Sequence, residues 1–245
     1  MTERAGAPLL TCRGLLVGYQ GHAILPPVDL TIRRGELWAV IGRNGAGKTT
    51  WLRTLLGLLP PVRGEVHRDV SGLSLTYLAQ RQTFDELYPL RVRDVVGMGL
   101  ERGMSFWRPY RHAKSPAVSR ALALVGASEL MDRPFRQLSE GQKQRVLFAR
   151  VAASAPDLAV LDEPTSAMDW VAEREALELL QRLRHELGMG LVIVSHYLGL
   201  AREFADRALL VDRDGGQLVT GTPREVLEHD LFRKRYDDAT LGALS

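Results

Sequence analysis

The sequence predicts an α/β fold built around a parallel β-sheet and interrupted by a helical insertion. Aliphatic segments that suit buried strands alternate with segments of helical spacing, which is the rhythm of βαβ units. A glycine-rich loop joins one of these strands to the helix that follows it. Between about residue 81 and residue 152 the strand signal disappears and helical spacing replaces it.

The first part of the chain is dominated by strands. Apolar and β-branched runs separated by Gly, Pro and charged turns predict short strands at 9–19, 28–32 and 36–42, with strand character again over 62–80. Residues 48–59 predict a helix. Pro60 and Pro61 should end it, because proline cannot continue a helix.

The rest of the chain first turns helical and then resumes the alternation. Helical spacing predicts helices at 92–100, 115–127 and 140–155. The aliphatic runs at 158–164 and 191–196 predict buried parallel strands, each followed by a helical stretch. Residues 207–221 predict a hairpin, and residues 223–245 predict a helix and a tail.

Composition narrows the class of protein. At 245 residues, with 45% hydrophobic and 25% charged side chains, the chain suits one globular domain or two small, tightly packed ones. A net charge of +3 does not indicate a nucleic-acid partner. Cys12 is the single cysteine, which excludes an intrachain disulfide and suits a reducing cytosol. No secretory signal or long apolar run is visible, so we expect a protein that is soluble by itself and meets a membrane only through a partner.

The segment GRNGAGKTT, residues 42–50, fits the pattern G-x-x-x-x-G-K-[ST] between a predicted strand and a predicted helix. Its glycines should let backbone N–H groups turn inward around phosphates, beside the positive end of the helix. Lys48 can neutralise phosphate oxygens, and the Thr49 hydroxyl can ligate Mg²⁺. The alternative is a glycine-rich turn without a ligand. The predicted ATP-binding residues here are Gly42, Arg43, Asn44, Gly45, Ala46, Gly47, Lys48, Thr49 and Thr50.

Two carboxylates follow the predicted strand in LAVLDEP. Asp162 and Glu163 emerge at its C-terminal end, where parallel sheets bind their ligands. Asp162 can hold hydrated Mg²⁺, and Glu163 can orient and polarise an attacking water. Taken alone, the pair would be better explained as a solvated acidic junction between a strand and a turn. Together with the phosphate loop they indicate phosphoryl chemistry.

A glycine in the helical segment LSEGQKQR, residues 138–145, needs an explanation. Ser139 is well placed to cap the helix. Gly141 falls in the first turn, where glycine weakens a helix by about 1 kcal/mol relative to alanine. Its bare backbone suggests that a ligand approaches closely.

Taken together, these motifs resemble the nucleotide-binding subunit of ABC transporters over essentially the whole chain. LSEGQ is similar to that family's LSGGQ signature, and Gln80, SAMD (166–169), His196 and Tyr19 stand at its Q-loop, D-loop, switch histidine and adenine-stacking positions. The resemblance implies a P-loop NTPase (RecA-like) core with an N-terminal antiparallel β subdomain and an inserted α-helical signature subdomain. It implies a single domain, 1–245, divided into a core at about 1–80 and 153–223, a helical subdomain at about 81–152, and a C-terminal helix and tail at about 224–245.

The resemblance also assigns roles. It implies the catalytic residues Glu163, His196, Lys48 and Gln80, and the Mg²⁺ ligands Thr49, Gln80 and Asp162. It implies a head-to-tail homodimer in which one copy completes the ATP site of the other with Ser139, Gly141, Gln142 and Asp169. Each assignment has a structural alternative: a half-buried aromatic at Tyr19, a strand end at Gln80, a structural histidine at His196 and a turn or cap at Asp169.

Small departures from the family pattern leave every catalytic group in place. Glu140 replaces the first signature glycine, which is tolerated best if its side chain points to solvent and which can slow turnover. Ala79 stands where the family often has proline, and Met168 replaces leucine.

The region after Gln80 is where family members receive their membrane partner. We expect a permease to dock near residues 81–100, on the apolar anchors Phe84, Leu87, Tyr88 and Leu90. A basic stretch follows, with Arg102, Arg108, Arg111, Lys114 and Arg120, and suits either anionic headgroups or a solvated face.

Segments such as YPLRVRDVVGMG resemble importers of manganese, zinc or iron ions. This implies a peripheral subunit on the cytoplasmic face of a bacterial-type inner membrane, with an extracytoplasmic binding protein. Any metal cargo would be bound by the partners, because the sequence lacks His/Cys clustering. A ferric-chelate or haem importer, and a soluble ATPase of the iron–sulfur assembly kind, remain alternatives.

Overall fold

The computed structural model of the chain describes residues 6–80, 90–101, 112–166, 168–195 and 198–236, apart from the side chains of residues 234 and 235. The strands are β1 (Pro8–Leu16), β2 (Gly18–Tyr19), β3 (His22–Ala23), β4 (Val28–Arg33), β5 (Leu37–Ile41), β6 (Arg63–Arg68), β7 (Leu75–Leu78), β8 (Leu158–Asp162), β9 (Gly190–Val194), β10 (Arg207–Asp212) and β11 (Gln217–Gly221). The helices are α1 (Lys48–Leu55), α2 (Val92–Gly97), α3 (Pro116–Leu124), α4 (Glu140–Ser154), α5 (Trp170–Leu187), α6 (Pro223–Leu227) and α7 (Asp230–Tyr236).

The central sheet is parallel apart from one edge. Its order is β11-β10-β5-β9-β8-β7, and only β11 pairs antiparallel with its neighbour among these described strands. A separate antiparallel sheet has the order β4-β1-β6. Helices α2, α3 and α4 begin within the interval that the sequence marks as helical. The predicted fold class is therefore confirmed.

The central sheet is buried on both faces, which explains its continuous aliphatic runs. Along β5, Leu37, Ala39 and Ile41 pack with the helical side of the molecule, in the cluster that includes α3, α4 and α5. Trp38 and Val40 point the other way and pack with α1 and the antiparallel sheet. Successive side chains of a strand alternate between faces, so a single five-residue strand joins both cores.

Strand ends place the predicted site residues along one edge of the sheet. The phosphate loop follows β5, Asp162 closes β8, and Gln80 comes shortly after β7. Because parallel strands end on the same side, residues far apart in sequence meet there. Among the helices of the described ranges, none is long and apolar enough to span a bilayer.

Two predicted helix lengths were wrong. Helix α1 ends at Leu55, before the prolines, because Gly57 adopts a φ of 77° that lies outside the helical region. The segment after residue 223 forms two short helices where the sequence predicted one. His229 Nδ1 accepts a hydrogen bond from the Leu231 N–H at 3.1 Å, which begins the second helix.

Candidate active site

The shape of the phosphate loop requires glycine at several positions, for different physical reasons. Gly45 and Gly47 have φ values of 79° and 102°, in the region that side chains disfavour. Gly42 has another reason, since a Cβ there would lie 2.5 Å from the carbonyl oxygen of Val211 on β10. Gly47 also begins α1 without a side-chain cap, which leaves the first helical N–H groups for a ligand. The loop therefore presents an anion-binding helix terminus.

Lys48 lies buried inside this loop. Its side chain is only 6% exposed, and Nζ donates hydrogen bonds to Gly42 O at 2.7 Å and Arg43 O at 3.1 Å. Burial lowers the pKa of the Lys48 ammonium, while the carboxylates of Glu163 and Asp162 act to raise it. The cation is thus held among loop carbonyls at the place where it can meet a phosphate.

Asp162 accepts hydrogen bonds from two hydroxyl groups. It is 3% exposed, and its Oδ2 accepts hydrogen bonds from Thr49 Oγ1 at 3.2 Å and from the Tyr77 hydroxyl at 3.4 Å. Burial raises the pKa of the Asp162 carboxyl, and the Thr49 hydrogen bond opposes the rise. Tyr77 is a site residue that the sequence did not reveal. Its only signal is that β7 lies beside β8, a pairing that the motifs do not encode.

Glu163 meets both Gln80 and Lys48. Gln80 Nε2 donates to Glu163 Oε2 at 2.6 Å, and Lys48 Nζ lies 3.9 Å from Glu163 Oε1. The Glu163 backbone has a φ of 48°, uncommon for a residue with a side chain, and its N–H donates to Val194 O on β9 at 2.9 Å. The structure therefore brings Lys48, Thr49, Gln80, Asp162 and Glu163 into one connected cluster.

The donor set of this cluster fits Mg²⁺. Magnesium prefers oxygen ligands such as carboxylates and hydroxyls, and it binds proteins through one or two of them together with substrate phosphates. Thr49 Oγ1 and the Asp162 carboxylate supply such oxygens next to the phosphate loop. A cation beside Asp162 would also offset the cost of burying that carboxylate. In this structure the Gln80 amide donates a hydrogen bond to Glu163.

Tyr19 stands beside the helix that follows the loop. It is 47% exposed, and its hydroxyl shares a 2.8 Å hydrogen bond with Thr50 Oγ1. This contact holds the hydroxyl end of the ring at α1, and about half of the residue stays exposed. A role in adenine stacking stays a prediction.

An open cavity of about 610 Å³ adjoins the loop. It is lined by Arg43, Asn44, Glu163, Ser166 and Asp214. Ser166 opens the SAMD segment, whereas Asp214 is a site residue that the sequence did not single out. Asp214 belongs to the turn between β10 and β11, and β10 pairs with β5, whose end begins the phosphate loop.

The signature segment caps its own helix. Ser139 Oγ accepts from the Gln142 N–H at 3.3 Å, and Gln142 Oε1 accepts from the Ser139 N–H at 3.1 Å, which is a capping box. Glu140 is 67% exposed and bonds Lys143 Nζ at 2.6 Å. A Cβ on Gly141 would meet nothing within 4 Å in the described part of the chain. Packing inside one chain therefore does not account for this glycine.

Asp169 is a cap as well. Its Oδ1 accepts from the Ala172 N–H at 2.9 Å at the start of α5. The contacts described for Ser139, Gln142 and Asp169 are local, within caps of α4 and α5, and do not join them to the phosphate loop. Their predicted action in a partner's site stays a prediction.

Part of the predicted site lies outside the described residues. This applies to His196 and to the anchors Phe84, Leu87 and Tyr88, as well as to Arg102, Arg108 and Arg111 of the basic stretch. Leu90, by contrast, is described, and the expectation that it serves as a docking anchor was wrong. It is 8% exposed and packs in the helical-side core, so it has little surface to offer a partner.

Comparison with known proteins agrees with this geometry. The family described as ABC transporter matches residues 25–166. The chain is 32% identical over 238 residues to the zinc import ATP-binding protein ZnuC of Ruegeria pomeroyi, covering 97% of this chain and 88% of that protein. A solved metal-chelate type ABC transporter in an inward-facing conformation matches at 28% identity with a TM-score of 0.78. The match covers 94% of this chain and 88% of the chain in that structure. The structure of cbiO1 from Clostridium perfringens, part of the transporter complex cbiONQ, matches at 26% identity with a TM-score of 0.75. The match covers 97% of this chain and 98% of cbiO1. The chain therefore belongs to the ABC transporter family, as an ATP-hydrolysing subunit.

Proposed function

We propose that this chain binds ATP with Mg²⁺, pairs with a second copy, hydrolyses ATP at two composite sites and drives import of a metal ion through a separate membrane permease. The observation that carries the proposal is the convergence of Gln80 and Lys48 on Glu163. Beside Glu163, Thr49 donates a hydrogen bond to Asp162. This arrangement places a candidate base, a phosphate-binding cation and metal-binding oxygens around one loop.

ATP binding follows from the loop. Lys48 exchanges the carbonyls of Gly42 and Arg43 for β- and γ-phosphate oxygens, and the N–H groups at the start of α1 donate to the same phosphates. Tyr19 offers its exposed ring face to the adenine. Thr49 and Asp162 hold Mg²⁺, which supplies positive charge against the phosphate oxygens when it is bound.

Hydrolysis depends on Glu163. Its carboxylate sits within reach of the loop and accepts a proton from, or orients, the attacking water. Gln80 positions that carboxylate through their 2.6 Å hydrogen bond. We assign His196, which follows β9, a hydrogen bond to the γ-phosphate. These roles are the ones that the resemblance implies, and the described contacts support those of Glu163 and Gln80.

The second copy supplies the rest of each site. Ser139, Gly141, Gln142 and Asp169 act across the interface, and the open space at Gly141 is where the partner's nucleotide approaches. A mixture of Lys48→Ala and Ser139→Ala subunits tests this. Each mutant homodimer lacks any intact site, whereas the mixed dimer keeps one, so mixing should restore part of the activity. Full activity of either homodimer would contradict the shared site.

Zinc is the cargo we propose, because a relative that matches nearly the whole chain is a zinc import ATP-binding protein. The permease docks near residues 81–100 and holds the subunit at the cytoplasmic face of the inner membrane. An extracytoplasmic binding protein delivers the metal to the permease. A metal-chelate importer is the second candidate, favoured by the structural match to a transporter of that type.

Metal uptake tests the proposal. Cells that lack the chain are supplied with the wild type or with Glu163→Gln, and uptake of zinc, manganese and a ferric chelate is measured. We expect wild type alone to restore zinc uptake. Restoration of chelate uptake only would select the second candidate. Copurification of the ATP-loaded Glu163→Gln protein with a soluble scaffold, and with no membrane protein, would contradict transport altogether.

A further inference from the structure

Glu173 is a buried carboxylate for which the proposed mechanism has no use. It lies in the first turn of α5 and is 8% exposed. Thr165, which is 3% exposed, donates its hydroxyl proton to Glu173 Oε1 at 2.6 Å. Burying a carboxylate is costly unless it is hydrogen-bonded, and the N-terminal end of a helix offsets part of that cost. The buried Glu173 therefore depends on this hydrogen bond and on its place in the helix.

The hydrogen bond between Thr165 and Glu173 joins the loop that follows β8 to the first turn of α5. Glu163 begins the loop with its uncommon φ, and Asp169 ends it as the cap of α5. The Met168 N–H donates to Thr165 O at 3.0 Å, and the Glu173 N–H donates to Asp169 O at 2.9 Å. Thr165 is thus held by its main chain and its side chain, two residues after Glu163. A shift of this threonine would move the backbone on either side of it.

We propose that Glu173 is a positioning residue that fixes, through Thr165, the loop carrying Glu163 at one end and Asp169 at the other. The inference rests on the proposed function, in which Glu163 orients water in its own site and Asp169 reaches the partner's site. The described polar contacts of the Glu173 side chain are with Thr165, so it acts through the threonine and not on the nucleotide. One buried bond then sets the geometry of a loop that serves both composite sites.

A hydrogen bond and an apolar contact would hold this loop differently. An apolar pair fills the same volume, but its contact is non-directional. The carboxylate accepts the Thr165 hydroxyl along a restricted direction, which fixes the threonine rotamer and the backbone that carries it. Precise placement matters because a misplacement of about 1 Å can cost about a hundredfold in rate.

A double-mutant cycle separates placement from stability. The full chain is prepared as Thr165→Val, Glu173→Leu and the double variant, with Thr165→Ser as the conservative change. Each single change leaves a buried group without its partner and should lower the thermal midpoint, whereas the double variant replaces both groups by apolar ones and should recover it. We expect kcat of the double variant to remain about tenfold or more below wild type, with ATP affinity unchanged. Thr165→Ser keeps the hydroxyl and should keep kcat.

The outcomes are distinct. The inference is overturned if the double variant regains kcat together with its stability, or if Thr165→Ser loses as much as Thr165→Val. If the single variants do not fold, the double variant and Thr165→Ser still decide the question. Glu178→Gln is the matched control, because Glu178 is an exposed glutamate on the same helix. Glu163→Gln tests the proposed function separately: undiminished hydrolysis there contradicts that function, whereas undiminished hydrolysis in the double variant alone contradicts only the role of Glu173.

Discussion

Gln80 Nε2 donates a 2.6 Å hydrogen bond to Glu163 Oε2, which joins the segment leaving β7 to the carboxylate that follows β8. Lys48 approaches the other carboxylate oxygen at 3.9 Å. The candidate base is therefore held between the phosphate loop and the segment that leads toward the predicted permease-docking region. If a permease docks there as proposed, we expect Gln80 to be the side chain that links that region to Glu163.

The first prediction concerns Glu163 itself. Glu163→Gln keeps an amide of the same shape but loses the carboxylate, so ATP hydrolysis should fall by about 10²- to 10⁴-fold, the usual contribution of a positioned base. ATP binding should persist, and an ATP-bound dimer should accumulate. Steady-state hydrolysis and size-exclusion chromatography with ATP provide the measurements. Near-normal turnover would remove Glu163 from this role.

The second prediction separates binding from folding at Lys48. Lys48→Ala removes the buried ammonium that faces the phosphate site, so ATP affinity should fall strongly. Thermal stability without nucleotide should change less, because a buried cation carries a desolvation cost that its removal relieves. Nucleotide titration and thermal melts of the same preparation measure the two effects. ATP affinity equal to that of the wild type would contradict the phosphate-loop assignment.

The third prediction concerns the glycine of the signature segment. Gly141→Ala places a methyl group in open space on a helical turn, so the free energy of unfolding should rise by up to about 1 kcal/mol. ATP-driven dimerisation and hydrolysis should nevertheless fall, because the methyl group holds the partner's nucleotide away. Denaturant unfolding and an ATPase assay are run side by side. A variant that gains stability and keeps full activity would show that the nucleotide never approaches this backbone.

The fourth prediction concerns the unusual carboxylate of the signature. Lys143 pairs with Glu140 at 2.6 Å, so Lys143→Ala should expose a negative charge near the proposed trans site and weaken ATP-driven dimerisation. Glu140→Ala should strengthen it. Each effect should be about fivefold at most, because Glu140 is 67% exposed and Lys143 is 28% exposed, and it should shrink in high salt. If Lys143→Ala and Glu140→Ala had the same effect on ATP-driven dimerisation at every salt concentration, that result would argue against an electrostatic cause.

The fifth prediction tests the ring of Tyr19. Tyr19→Ala should weaken ATP binding by about 1–3 kcal/mol, the usual value of base–aromatic stacking. Tyr19→Phe removes only the hydroxyl that bonds Thr50 and should retain most of the affinity. Calorimetric titration of both variants gives the comparison. An equal loss in both would mean that the hydroxyl, and not the ring face, is what matters.

Contiguous motifs made much of the site predictable. The phosphate loop, the Asp162–Glu163 pair and the cap at Ser139 each depend on spacing within a few residues, which a sequence displays directly. The buried strands were also predictable, since uninterrupted aliphatic runs mark a sheet covered on both faces. Local signals sufficed for these features.

Features that depend on neighbouring strands were not predictable. Tyr77 reaches Asp162 only because β7 lies beside β8, and Asp214 reaches the loop only because β10 lies beside β5. The bond between Thr165 and Glu173 needs the turn into α5. Leu90 was misjudged because the sequence alone does not distinguish an apolar residue that packs in the core from one that anchors a partner.

The geometry of Ser139 bears on how two copies can meet. Its oxygen accepts a hydrogen bond from the Gln142 N–H, which leaves the hydroxyl hydrogen on the same atom available for a second acceptor. In the proposed dimer, Ser139 would therefore cap α4 with its oxygen and donate its hydroxyl hydrogen to the partner's triphosphate. In the proposed dimer, the signature segment would therefore bind and release nucleotide in every cycle without unwinding the first turn of α4.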